Sequence, residues 1–239
     1  MFKYIKAFFK GLYKIVLAYP KIRKYAKNKD KYPLEERYAY ARKLVNILMK
    51  SFNVELDVEG IEKLNNKNDF FVVCNHQGVM DALVMVSLFD RPTSFVCKKE
   101  ALKYPFVGKV CTFIDAIFFE RDNVRDSVKM IKSCINKLND GYSVGIFPEG
   151  TRTKDENYMP GEYKPGALKP AYETKKNIAV FVMNGGYKVF SKKYKGKIVI
   201  TVKVIDFLDY EEFKDKNTLE LANEIQKKTV DELIKISKQ

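Results

Sequence analysis

One histidine stands among 239 residues, and the four cysteines, Cys74, Cys97, Cys111 and Cys134, show no CxxC spacing. A Cys/His zinc site needs several such ligands close together, so no metal site is expected. The cysteines lie in apolar contexts and read as reduced core thiols. Long hydrophobic runs are missing too. Near the N-terminus the longest uncharged stretch is residues 15–20, against the roughly 20 residues that cross a bilayer, and nothing downstream spans either. A secretory signal is not expected, because Lys3, Lys6, Lys10 and Lys14 interrupt the apolar residues and no small-residue cleavage site follows. Acids are scarce at the start. Residues 1–31 hold ten Lys/Arg against Asp30 alone, so nine of the chain's fourteen net positive charges lie there. Internal repeats and low-complexity tracts are absent.

What is present suits a globular body: 46% hydrophobic and 31% charged residues, in a chain long enough to bury a real core. The net charge of +14 asks for an anionic partner.

Residues 2–19 read as an amphipathic helix. The four lysines fall along one stripe, and Phe2, Ile5, Phe8, Phe9, Leu12, Ile15, Val16 and Tyr19 fill the rest. Pro20 is expected to close it, leaving residues 21–33 as a linker. A second helix carries Leu34, Tyr38, Ala41, Val45, Leu48 and Phe52 along one seam. The first helix is expected to lie in an anionic membrane surface, apolar side inward and lysines toward headgroups. For the second, an ordinary core-facing helix is the better reading. Residues 1–53 thus form a helical hairpin and residues 54–239 a second unit.

From residue 54 strands and helices alternate. Strands are expected at 54–58, 70–74, 94–97, 142–147, 178–183 and 197–205, with a β-rich run at 113–119. Helices are expected at 80–89, 126–138 and near 166–175. A last one starts at Asn217, with Glu220 three residues on as a capping box. This alternation predicts an α/β fold, a mostly parallel sheet flanked by helices.

Chemistry-bearing residues collect at strand exits. Asn75-His76-Gln77-Gly78-Val79-Met80-Asp81 follows the apolar strand at 70–74. His76 is the side chain suited to accept a proton at neutral pH, and a carboxylate can fix its tautomer. Five residues is the wrong spacing for one helix face, so the pair needs His76 on a turn and Asp81 in the first helical turn, reaching back. Alone, an H-x4-D pair is more often a helix cap and a first-turn acid. Phe147-Pro148-Glu149-Gly150-Thr151-Arg152 leaves a second strand, placing an acid, a hydroxyl and a guanidinium where α/β ligand sites form. A polar loop with a surface ion pair explains that segment equally well. Arg121 ends the β-rich run, and Lys164-Pro165-Gly166-Ala167 brings a cation to a helix start. Singly, each is an ordinary surface charge.

Taken in order, N-H-x4-D, Arg121 after an apolar strand and F-P-E-G-T-R resemble the 1-acylglycerol-3-phosphate acyltransferase family, part of the glycerolipid acyltransferases. The similarity covers residues 54–205. Lys98-Lys99-Glu100 with Pro105 and Gly108 is similar to the family's K-x-E-L…P…G stretch, and Lys164 to its K-x-G segment. The resemblance implies an α/β fold and catalysis by His76 and Asp81. It implies acceptor binding by Arg121, Glu149, Gly150, Thr151, Arg152 and Lys164, and no resident cofactor. The implied co-substrate is a thioester on CoA or acyl carrier protein, and the acceptor is lysophosphatidic acid, acylated at sn-2 to phosphatidic acid. Lys98 and Lys99 are open candidates for the oxyanion or the donor. Three departures stand out: Gly78 where Ser is common, Glu120 where Asp is usual, and no proline within 179–182.

Two other readings remain. The acceptor could be glycerol 3-phosphate, another lysophospholipid or an amino lipid. From another class, the chain could be a non-catalytic basic membrane-binding protein. Nucleic acid is not an expected partner, because the charge sits beside apolar helix residues and no nucleic-acid motif occurs. The expected location is the cytoplasmic face of the cell membrane, peripheral or monotopic.

Overall fold

Seven strands pair in the order β1-β7-β6-β2-β5-β3-β4 among the described residues. They are β1 (Val54–Glu59), β2 (Phe71–Cys74), β3 (Thr93–Lys98), β4 (Ile117–Phe119), β5 (Ser143–Ile146), β6 (Ile178–Asn184) and β7 (Ile198–Leu208). Every neighbouring pair is parallel except β6–β7. The computed structural model describes residues 2–120, 123–191, 193–194 and 196–238, leaving aside the side chains of residues 2–10, 12 and 105. Arg121 lies outside the described residues.

Burial on both faces explains why the central strands are apolar without alternation. Phe71 and Val73 of β2 enter one core; Val72 and Cys74 enter the other. The Val72 face is covered by α1 (Phe2–Lys27), α2 (Leu34–Ser51), α3 (Met80–Leu88) and α4 (Pro105–Phe113). Against the Phe71 face lie α5 (Val124–Asn139), α6 (Lys169–Thr174), α7 (Tyr210–Phe213) and α8 (Thr218–Ser237). The α8 start carries the expected capping box, Asn217 accepting from the Glu220 N–H while Glu220 accepts from that of Asn217.

Three expectations are corrected. The first helix does not stop at Pro20 but runs on to Lys27, shrinking the linker to residues 28–33. A proline inside a helix costs about 3 kcal/mol. Ile22 and Tyr25, just beyond it, are fully buried, and burial of two such side chains offsets that at roughly 1.5–3 kcal/mol each. Second, only residues 117–119 of the β-rich run 113–119 are strand; Phe113 ends α4, and Asp115 turns the chain with a positive φ of 53°. Third, α4 itself was not foreseen. The hairpin packs against the sheet and α4. Tyr38, Ala41 and Val45 of α2 share one core with β2, and Arg37 donates to the Phe113 carbonyl and to Asp115 at 3.1 Å. No helix among the described residues is long and apolar enough to cross a membrane.

Candidate active site

Strands β2, β5 and β3 lie side by side and parallel, so their C-terminal ends form one edge of the sheet. The chain leaves β2 through residues 75–79 and enters α3 at Met80, which sets Asp81 in the first helical turn. His76 Nδ1 then lies 2.8 Å from Asp81 Oδ2. Oδ2 also accepts from the backbone N–H of Gln77 at 2.6 Å and of Gly78 at 2.7 Å. An oxygen accepting two amide protons is an acceptor for the ring as well, so in a neutral ring Nδ1 carries the proton and Nε2 the lone pair. Asp81 is fully buried, while the His76 side chain keeps 17% of its surface exposed. Among the described residues, Nε2 has no hydrogen-bond partner. The pair is an imidazole fixed at Nδ1 with its other face open.

Phe147, first residue after β5, stacks its ring on the imidazole at 4.2 Å between centroids and 17° between planes. The Thr153 N–H donates to the His76 carbonyl at 2.8 Å, tying the Phe147–Arg152 loop to the histidine turn. Thr151 and Arg152 are exposed within that loop, and Arg152 has no ion-pair partner among the described residues. Gly150 has a φ of +66°, and a Cβ there would stand 3.3 Å from Lys164 Nζ. The Lys164 ammonium therefore lies over the same loop, and the backbone N–H of Lys164 donates to the Pro148 carbonyl at 3.0 Å. Arg152 and Lys164, neither ion-paired among the described residues, thus border the exit of β5.

Two expected contacts fall elsewhere. Glu149 does not face an open cleft. It is 3% exposed, and its oxygens accept from the His76 N–H at 2.7 Å and the Gly161 N–H at 3.0 Å. Both contacts tie it to the backbone, the first to the histidine turn. Lys99 is drawn to Asp126 at 3.2 Å and Glu120 at 3.7 Å, leaving Lys98 as the cation at the end of β3 with no ion-pair partner among the described residues. Among the described residues no group of three or more His, Cys, Asp or Glu could hold a metal ion.

Burial pushes the Glu149 carboxyl up to about 7, against the opposing pull of the two amide donors. A raised carboxyl means that the folded protein binds more protons than the unfolded chain between the two values. Stability therefore falls as pH rises from about 4.5 to 7, by up to about 1.4 kcal/mol per pH unit. Glu149→Gln should remove that contribution. Denaturation midpoints across this range should show the wild-type advantage over the variant shrinking as pH rises.

Sequence reasoning missed three supports of the dyad. Asn75 donates to the Met183 carbonyl at 2.9 Å and accepts from its N–H at 2.8 Å, clamping the end of β2 to β6. Gln77 accepts from the Gly185 N–H at 3.0 Å and donates to the Tyr158 carbonyl at 3.0 Å. Gly186 presses on the carboxylate itself: a Cβ there would stand 1.9 Å from Asp81 Oδ1. The Gly185-Gly186 pair after an apolar strand was the available signal. Gly78 is explained by the same contact, since its Cβ would meet the Gly186 carbonyl carbon at 2.8 Å, which leaves no room for serine.

A family model described as Acyltransferase matches residues 55–185, more than half of the chain. The chain belongs to the acyltransferase family. This acyltransferase is 28% identical over 201 residues to the 1-acyl-sn-glycerol-3-phosphate acyltransferase of Borreliella burgdorferi, covering 82% of the chain and 79% of that relative. It is 33% identical over 146 residues to the probable 1-acyl-sn-glycerol-3-phosphate acyltransferase of Mycoplasma genitalium, covering 59% of the chain and 53% of that relative. The alignment thus spans about half the length of the Mycoplasma protein. The crystal structure of PlsC, the 1-acyl-sn-glycerophosphate acyltransferase of Thermotoga maritima, superposes with a TM-score of 0.73 at 21% identity, over 100% of this chain and 98% of that one. That likeness establishes the fold.

Proposed function

We propose that this acyltransferase moves a fatty acyl group from a CoA or carrier-protein thioester to the sn-2 hydroxyl of a 1-acylglycerol 3-phosphate. The observation that carries the reading is the 2.8 Å His76–Asp81 contact, which leaves Nε2 open beside a loop bearing unpaired cations. In this mechanism Nε2 takes the hydroxyl proton as the oxygen attacks the thioester carbonyl. Asp81 stabilises the imidazolium, and collapse of the tetrahedral intermediate breaks the C–S bond, the thiolate taking the proton back from His76. The donor is already activated, so no acyl-enzyme is required. Arg152, Thr151 and Lys164 bind the acceptor phosphate, Arg152 in bidentate fashion. Arg121, outside the described residues, is assigned to the same phosphate by the family resemblance alone. Lys98 and backbone N–H groups are the candidates for the oxyanion.

The lipid acceptor places the protein on an anionic membrane surface through α1. Tyr13, Val16 and Leu17 are exposed there, next to Lys14.

Thiol release from one acyl donor, measured over lysophosphatidic acid, glycerol 3-phosphate, lysophosphatidylcholine and an amino lipid, tests the acceptor. Lysophosphatidic acid should give the highest kcat/KM; preference for an uncharged or amino acceptor would overturn the phosphate reading. Arg152→Ala should raise KM for the phosphorylated acceptor about tenfold or more, the equivalent of roughly 1.5–3 kcal/mol for a charged hydrogen bond, with kcat less affected.

A further inference from the structure

Outside α1, three of the exposed apolar side chains cluster within six residues. Leu102 (48%), Tyr104 (63%) and Val107 (45%) stand on the 3₁₀ turn Lys99–Lys103 and the start of α4. Scattered exposed apolar residues are ordinary, but position distinguishes these. Tyr19 of α1 meets Phe106 of α4 at 4.8 Å between ring centroids, and Tyr25 meets Phe113 at 5.8 Å. Six steps along α1 match seven along α4, so the two helices run parallel and start toward the same end. The exposed Tyr13, Val16 and Leu17 of α1 therefore lie at the same end as Leu102, Tyr104 and Val107.

That end is also the edge carrying the dyad. The turn Lys99–Lys103 follows β3 directly, and β3 is separated from β2 only by β5, all parallel. Gly108 keeps the turn folded onto α4: a Cβ there would stand 2.8 Å from the Leu102 backbone. Charge fits a lipid surface. Apart from the ion-paired Lys99, residues 98–109 carry Lys98, Lys103 and Lys109 against the single acid Glu100, and Lys14 adjoins the α1 residues. Apolar side chains ringed by lysines match an interface of acyl chains and anionic headgroups.

We infer that the turn Lys99–Lys103 and the first turn of α4 form a second membrane-inserting element, which joins α1 in seating the β2–β5–β3 edge on an anionic bilayer. The inference rests on the membrane reading of α1 and extends it to the catalytic unit. Two anchors fix orientation where one leaves the body free to swing, and the acceptor's phosphate then meets the site while its acyl chain stays in lipid.

The chain has no tryptophan, so each Tyr→Trp variant of the full-length protein carries a single indole. Tyr104→Trp and Tyr13→Trp report on the two elements. Tyr142→Trp, just before the N-terminal end of β5, reports on the opposite edge. Each is mixed with phosphatidylglycerol/phosphatidylcholine vesicles bearing brominated acyl chains. The Tyr104→Trp and Tyr13→Trp indoles should both shift to shorter wavelength and be quenched, and the Tyr142→Trp indole should not. Quenching from Tyr13→Trp alone overturns the second anchor and leaves the α1 reading standing. No quenching from either, with no co-sedimentation, overturns both. A double replacement of apolar residues by acids, Leu102→Glu with Val107→Glu, should lower vesicle binding at least tenfold while thiol release from detergent-dispersed substrates stays within twofold. Unchanged vesicle binding would contradict the second anchor even if the indole moved.

Discussion

His76→Ala should lower acyl transfer by about 10²–10⁴-fold while thermal stability and vesicle binding stay close to wild type. The imidazole is the base in this account, and it is replaceable without structural loss for two reasons. Its side chain is partly exposed, and the turn that carries it is held by backbone bonds from Thr153 and to Glu149, which alanine keeps. The main packing loss is the stacked contact with Phe147. Turnover is read as thiol release at saturating donor and acceptor. A rate within a few-fold of wild type would mean that another group takes the hydroxyl proton.

Gly186→Ala should reproduce much of that loss from outside the dyad. The added methyl would stand 1.9 Å from Asp81 Oδ1, a distance no non-bonded pair of heavy atoms adopts, so something must move. The carboxylate has little freedom to yield, because its Oδ2 is held by the Gln77 and Gly78 N–H groups and by the His76 ring. On the other side, Gly186 is pressed against Gly78. Either the carboxylate tilts away from Nδ1 or the Gly185–Lys188 turn lifts. Overpacking of this kind costs about 1–3 kcal/mol of stability. A misplacement of about 1 Å at the reacting group costs on the order of 10²-fold in rate. The expected signature is a kcat reduced about a hundredfold with KM for the acceptor little changed, since Arg152 and Lys164 are untouched. A variant of full activity would show that the contact is slack.

Much of this arrangement could be read from residues alone. Apolar stretches ending in Asn75-His76 and in Phe147-Pro148-Glu149 marked strand exits, and both exits lie on one edge of a mostly parallel sheet. The H-x4-D spacing demanded a turn followed by a first-turn acid, and Asp81 meets that demand. What escaped depended on tertiary context. Pro20 reads locally as a stop, but buried Ile22 and Tyr25 carry the helix past it. The helix at Pro105–Phe113 was hidden because its last aromatic runs into the β-branched residues of β4; Pro105 at its first position was the signal. Glu149 reads as a ligand for an acceptor until its burial shows both oxygens taken by amides. Lys98 and Lys99 look alike in sequence, and only the approach of Asp126 and Glu120 separates them. The antiparallel pairing of β6 with β7 left no local trace.

Because the chain contains one histidine, its imidazole can be observed without ambiguity in a protein labelled with ¹⁵N-histidine. With the ring neutral, the nitrogen shifts should show the proton on Nδ1 and a free Nε2, and Asp81→Asn should abolish that preference. A proton held on Nε2, or a spectrum indifferent to Asp81→Asn, would contradict the dyad.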